Sequence, residues 1–347
     1  MAHADPGGAV PKGRRVWRRL GAFVLFVVVS GLAWVALRLN DRPPMDAQPL
    51  RWLPTLAEPA AARLPVRVRY LGVSTLLFDD GETAILFDGF FSRPPLREVL
   101  LGRIAPDLPR IRQGLQRAGI KRLAAVVTVH SHYDHAMDTA EVARLTGAQV
   151  VGSSSTAQIA RGAGLPESRI QVVGDGQAVR LGRFELRFVR SVHAPTAFTG
   201  GEISAPLVPP VRAWDYAEGG CFSIVLTHEG RSVLVQGSAG FVPEALAGHR
   251  ADVVFLGVGG AGPLPRAYHA RYWDEVVRRV GARRVVPIHW DDFTLPADRP
   301  FAAMPMLLDD VPRSLRLLGE HGARDGIDVR LPPAWEPFDP WAGLATP

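Results

Sequence analysis

Residues 130–135 read His130-Ser131-His132-Tyr133-Asp134-His135, three imidazoles and one carboxylate on a single short turn. The β-branched run at 123–129 leads into them and reads as a buried strand; the alanine-rich segment at 136–146 follows and reads as a helix. Neutral imidazole nitrogens and ionised carboxylates are the natural ligands of zinc and similar cations. Alternate residues at a strand end can point the same way, so His130 and His132 can grip one ion while Asp134 and His135 face a neighbouring position. The plain alternative is a surface cluster of histidines. A His-x-His-x-Asp-His pattern directly after an apolar strand rarely arises that way.

Charge narrows the class of partner. The chain of 347 residues carries a net +6, and residues 1–42 alone hold +5 of it, through Lys12, Arg14, Arg15, Arg18, Arg19, Arg38 and Arg42 against Asp5 and Asp41. The rest is nearly neutral, so the basic patch that marks a nucleic-acid binder is not expected on the folded domain. Residues 20–37 form an apolar run whose only polar member is Ser30, just long enough to cross a bilayer. More basic residues precede the run than follow it, which predicts a cytoplasmic N-terminus and an exported domain on the periplasmic side of a bacterial membrane. No small-x-small cleavage site follows, so an uncleaved single-pass signal anchor is expected rather than a cleaved signal peptide. A buried core helix fits poorly, because the run is apolar on every face.

The expected organisation is a basic cytoplasmic segment (1–19), the anchor (20–39), a proline-rich spacer (40–65), one domain (66–330) and an irregular tail on the surface (331–347). With 47% hydrophobic residues, the chain can bury one large core. Within the domain, 66–90 reads as a hairpin turning at Asp79-Asp80-Gly81. Helical spacing over 96–119 is interrupted at Pro106 and Pro109. Further strands are expected at 149–151, 170–173, 184–189, 221–227, 232–236, 252–256 and 284–288, and helices at 155–163, 243–248, 268–281 and 311–321. Two successive strand groups with helices between and after them fit an α/β class of two packed sheets with helices outside. Residues 194–219 form a long proline- and glycine-containing loop directly after His193, the expected wall or lid of a site. The single cysteine, Cys221, excludes an intrachain disulfide and reads as core.

The motif resembles the metal-binding signature of the metallo-β-lactamase superfamily, and further matches occur in order. Residues 70–78 and 83–89 resemble the opening hairpin with its strand-end Asp88. Residues 188–193 resemble the strand that delivers a third histidine, His193; 232–238 stand where the family has a strand ending in Gly-Asp; and 285–293 supply a last histidine, His289. The resemblance implies a four-layer αββα sandwich. It implies one ion on His130, His132 and His193 and a second on Asp134, His135 and His289, with Asp134 also orienting the attacking water. Zn2+ is the expected metal, with Mn2+ or Fe2+ as alternatives, and the implied chemistry is a water made nucleophilic near neutral pH.

One departure stands out: Ser238 occupies the place of the carboxylate that bridges both ions, so one tight and one weaker ion are expected. Asp291 or Asp292 is a candidate for the missing charge, and Asp88 for an acceptor beneath the metal histidines. His269 is a candidate for the substrate pocket, and His228 reads as solvent-facing. Tyr133 and the His289-Trp290 pair resemble the branch of N-acyl phosphatidylethanolamine phospholipase D-like and ascorbate-phosphate lactonase-like enzymes. That implies a membrane-tethered hydrolase of an ester, lactone or phosphodiester in a small-molecule or lipid-like substrate. The alternative, motivated by Ser238, is a non-catalytic or sensory relative. Oligomeric state is left open by the sequence.

Overall fold

The computed structural model describes residues 12–57, 60, 64–197 and 199–344. Expectations for 1–11 and for parts of the 40–65 and 331–347 segments therefore lie outside the described residues.

Two sheets form the body. One runs β2 (Arg67–Tyr70), β3 (Leu76–Asp79), β4 (Ala84–Phe87), β5 (Ala125–Val127), β6 (Gln149–Gly152) and β7 (Ile170–Val172) in that order. The other runs β1 (Arg51–Trp52), β14 (Asp328–Leu331), β13 (Arg284–Ile288), β12 (Val253–Gly257), β11 (Arg231–Gln236), β10 (Cys221–His228), β9 (Phe184–Ser191) and β8 (Ala178–Leu181). Strand periodicity explains how the first sheet serves two cores. Phe78, Phe87 and Val127 enter the core between the sheets, where Phe78 meets Phe255 edge-on at 5.7 Å. Their neighbours Leu77, Leu86 and Val126 point the other way, into a second cluster with Ile111, Leu115, Val142 and Ala160.

Apart from α1 (Lys12–Asn40), the helices lie outside the sheets. The second cluster is closed by α3 (Leu108–Arg117), α5 (Thr139–Thr146) and α6 (Ser154–Gly162). The short α2 (Leu96–Leu101) precedes α3, and the break between them falls at the prolines, with Asp107 capping α3 by accepting from the Arg110 amide at 3.1 Å. A single turn, α4 (Tyr133–Ala136), carries half of the motif. Against the eight-stranded sheet lie α7 (Arg266–Trp273) and α8 (Val311–Asp325). The described side chains of α1 through Leu37 are exposed.

Four expectations are corrected. Residues 243–248 form turns, not a helix. His228 is buried, with Nε2 3.0 Å from Asp80 Oδ2, because β10 continues through it instead of turning. The tail is not superficial: Phe338 exchanges backbone hydrogen bonds with Val68, and Trp335, Phe338 and Trp341 are buried. Three large aromatic side chains hold more apolar surface than an exposed coil can leave in water. The spacer is no free stalk either, since Met45, Leu50 and Leu53 join the core and β1 pairs with β14.

Candidate metal centre

Strand ends build the site. β5 stops at Val127, and the backbone around it is pinned by Asp88, whose amide donates to Val127 O (2.8 Å) and whose Oδ1 accepts from Val129 N (2.9 Å). The chain then presents His130 and His132 before turning into α4, so that Asp134 and His135 rise on one helical turn. His193 follows β9 and His289 follows β13, one from each half of the eight-stranded sheet.

These stretches converge into two adjacent triads. The candidate ligand atoms of His130, His132 and His193 lie within 4.8 Å of one another, and so do those of Asp134, His135 and His289. In the first, His130 Nε2 is 3.1 Å from His132 Nδ1. His193 Nδ1 donates to Ala194 O at 2.9 Å, a tautomer that leaves Nε2 as a lone pair. In the second, Asp134 Oδ2 is 3.2 Å from His289 Nε2 and 3.5 Å from His135 Nε2. The His130 and His135 rings are 3.8 Å apart between centroids, so the triads are neighbours.

Electrostatics favours the ligand forms of His130, His193 and Asp134. Burial, reinforced by the surrounding histidines, pushes His130 well below the ordinary imidazole value. Burial and His132 take His193 down to about 3. Burial also lowers His135, but the charges of Asp134 and Asp88 outweigh it and hold that imidazole above its usual range. Asp134 would be raised by burial, yet His135 and His289 keep it well below the usual carboxylate range. His130 and His193 therefore present lone-pair nitrogens and Asp134 an ionised carboxylate, whereas His135 is biased toward the imidazolium and has to release a proton to ligate.

A family profile described as the beta-lactamase superfamily domain matches residues 83–290. This chain belongs to the metallo-β-lactamase superfamily. A UPF0173 metal-dependent hydrolase of Heliobacterium modesticaldum is 23% identical over 239 residues, covering 66% of this chain and 84% of the relative. One from Listeria monocytogenes is 25% identical over 271 residues, covering 76% of this chain and all (100%) of the relative. Among solved structures, the metallo-beta-lactamase fold protein YhfI from Bacillus subtilis aligns with a TM-score of 0.46 at 15% identity, covering 77% of this chain and 95% of that one.

Within this metallo-β-lactamase centre the remaining candidates fall into place. Asp88 is buried behind the second triad, its Oδ2 accepting from His135 Nδ1 (2.8 Å) and from Ser74 Oγ (2.5 Å). Ser238 has its Oγ 2.9 Å from the Ala194 amide, which donates to it, so this hydroxyl braces the residue after His193. Asp291 and Asp292 lie outside both triads, a correction to the expectation that one of them supplies the bridging charge. Asp291 Oδ1 accepts from Tyr70 OH (2.6 Å) and Val73 N (2.7 Å), and Oδ2 from Arg93 Nη2 (2.6 Å). Asp292 faces Arg42 and Thr294. His269 is also corrected: its ring is buried with Nε2 2.9 Å from Ala261 O, packing α7 down instead of lining a pocket.

The 194–219 loop is a docked wall. Ile203 N donates to Ser155 Oγ (2.9 Å), Leu207 N to Gln158 O (3.1 Å), and Ile104 N to Val211 O (2.7 Å). Its far end returns to the site: Glu218 O accepts from Ser131 N (2.8 Å), and Glu218 Oε1 accepts from His193 N (3.2 Å). Ser74, Glu218, Arg93 and Tyr70 were not singled out by the sequence, because each acts through a partner distant in the chain. The only local signal was the Gly72-Val73 turn, where Gly72 takes φ +99 and a Cβ would lie 1.9 Å from Arg93 Nη2. Gly259 is required in the same sense, since a Cβ there would lie 2.6 Å from His289 Nδ1.

Proposed function

We propose that this metallo-β-lactamase-fold hydrolase is metal-dependent, acts on an ester, lactone or phosphodiester, and is held at a membrane by α1. The observation that supports the metal is the pair of convergent triads, and within it one atom in particular. His135 Nε2 is buried without a hydrogen-bond partner while its other nitrogen is engaged by Asp88. A buried ring nitrogen with no hydrogen-bond partner, facing a carboxylate at 3.5 Å, is satisfied when a cation lies between them, so the residues present fit the group. His130, His132 and His193 would hold one ion, and Asp134, His135 and His289 the other. Zn2+ suits the imidazole-rich set, with Mn2+ or Fe2+ as alternatives.

When bound, such ions lower the pKa of water and polarise the bond under attack. The chain's own residues do the rest. Asp134, ionised and 8% exposed, is placed to orient a water and to receive its proton. Asp88 fixes the His135 tautomer. The docked loop ending at Glu218 fixes His193. Because Ser238 offers a neutral hydroxyl already bonded to Ala194, position 238 supplies no negative charge between two dications, and one tight and one weaker ion are expected. The test is hydrolysis of generic phosphodiesters, aryl esters and lactones by the full chain in detergent, with His132→Ala as control. The wild type is expected to turn over at least one class and the control none. A silent wild type with less than one ion per chain would favour the sensory alternative.

For the tether, the support is that α1 contains a 25-residue candidate span, Val16–Asn40, whose most apolar 18-residue window has a mean hydropathy of 2.5 and is unburied (0%). Such a helix can cross a bilayer, and the basic residues before it favour a periplasmic domain. Deleting residues 1–40 is expected to move the protein from the membrane to the soluble fraction; retention in the membrane would contradict the anchor.

A further inference from the structure

The stem that leaves α1 reaches the loop carrying a candidate metal ligand. Arg42, two residues past the helix, donates to Asp292 Oδ2 from both Nε (2.9 Å) and Nη2 (2.7 Å). The Asp292 side chain is fully buried (0%), whereas Arg42 retains 22% exposure, so the charge comes in from outside to meet a carboxylate that cannot reach water. The neighbouring Asp41 O accepts from Met306 N at 3.1 Å, which fixes the path of the stem.

Asp292 lies three residues after His289 on a loop with little freedom. His289 itself has φ 60, a left-handed conformation that non-glycine residues hold only when their surroundings impose it. What imposes it is a set of anchors: His289 N donates to Val73 O (2.7 Å), Asp291 is gripped by Tyr70, Val73 and Arg93, and Asp292 Oδ1 accepts from Thr294 N (2.9 Å) and Oγ1 (2.6 Å). Phe293, between these anchors, packs on the His289 ring with centroids 5.5 Å apart. All of these groups belong to the domain body except Arg42.

We infer that Arg42 is a positioning residue of the metal centre: by neutralising buried Asp292 it holds the His289 loop in ligating geometry and ties the membrane stem to the site. The inference rests on the metal reading above. Without Arg42 a buried carboxylate is left unpaired, and the loop relieves it by moving outward, carrying His289 with it. Loss of such an outer partner typically weakens metal binding 10–100-fold. One practical consequence is that a soluble form should be cut at residue 40 and keep Arg42.

The full chain in detergent tests this with Arg42→Ala, Arg42→Lys and the double variant Arg42→Ala/Asp292→Asn, in which asparagine keeps an oxygen for Thr294 while removing the charge. Zinc affinity is read by competition with a chromophoric chelator, and the ligand field by the visible spectrum of the Co2+-loaded protein. Arg42→Ala is expected to weaken zinc by about 10–100-fold at the Asp134–His135–His289 position and to alter the Co2+ spectrum. Arg42→Lys should fall between it and the wild type, and the double variant should regain most of the loss. Wild-type affinity and spectrum in Arg42→Ala, or a loss that Asp292→Asn does not relieve, would overturn the inference. A wild-type chain that binds no zinc would instead overturn the metal reading, a different result.

Discussion

Asp134→Ala is expected to lower kcat/KM by at least about 10³-fold, within the range that a lost general base costs, and to remove one bound ion per chain. Asp134 is the only carboxylate in the two triads. Its Oδ2 stands 3.2 Å from His289 Nε2 and 3.5 Å from His135 Nε2, so both imidazoles aim at the point it occupies. Alanine removes the one anionic ligand of the second triad and the carboxylate placed to orient the attacking water. The first triad, all imidazole, keeps its geometry, because His193 is braced by Ala194 and Glu218. The separating variant is Asp134→Asn, which preserves shape and loses charge. It should lose activity almost as fully as alanine; full activity in Asp134→Asn would show that the carboxylate's charge is not needed.

The largest effect on stability is expected from Arg93→Ala. Arg93 and Asp291 are 1% and 0% exposed and meet at 2.6 Å, with Tyr70 and the Val73 amide completing the carboxylate's partners. Burial opposes the charge on Asp291, yet Arg93, Tyr70 and the Val73 amide together outweigh it and hold the carboxyl below its usual range. Removing the guanidinium leaves an uncompensated buried carboxylate, which costs about 3–5 kcal/mol. For a domain of this size that lowers Tm by on the order of 10 °C. Phe301, with its ring 4.6 Å from the guanidinium carbon, loses its cationic partner as well. The paired variant Arg93→Met/Asp291→Asn should be less destabilised than Arg93→Ala, since the charge needing compensation is gone. Equal melting of wild type and Arg93→Ala would refute the clamp. Because Asp291 also holds the turn that accepts the His289 amide, the single variant should lose metal along with stability.

Much of this architecture was legible in local periodicity. The hairpin over 66–90 turns after Asp79 as read, and the strands around the motif fall where β-branched runs place them. The motif turn could be read because its residues are contiguous. What could not be read was polar pairing across long separations. Nothing in the neighbourhood of Asp291 announces Tyr70 and Arg93, 221 and 198 residues away, and nothing near Asp292 announces Arg42. Both aspartates looked available for a cation because a sequence does not show that a carboxylate already has partners. The tail was misjudged for a related reason. Proline-rich spacing hides burial when aromatic side chains dock singly, as Trp335, Phe338 and Trp341 do, instead of along a strand or helix.

The account depends on side chains from the motif turn, the end of β9 and the end of β13 sharing cations. Element-specific anomalous diffraction from crystals of protein purified without chelator addresses this directly. A peak is expected about 2.0–2.2 Å from His130 Nε2, His132 Nδ1 and His193 Nε2, from Asp134, His135 and His289, or from both sets. Ordered side chains with no peak at either position, in protein that turns over substrate, would contradict it.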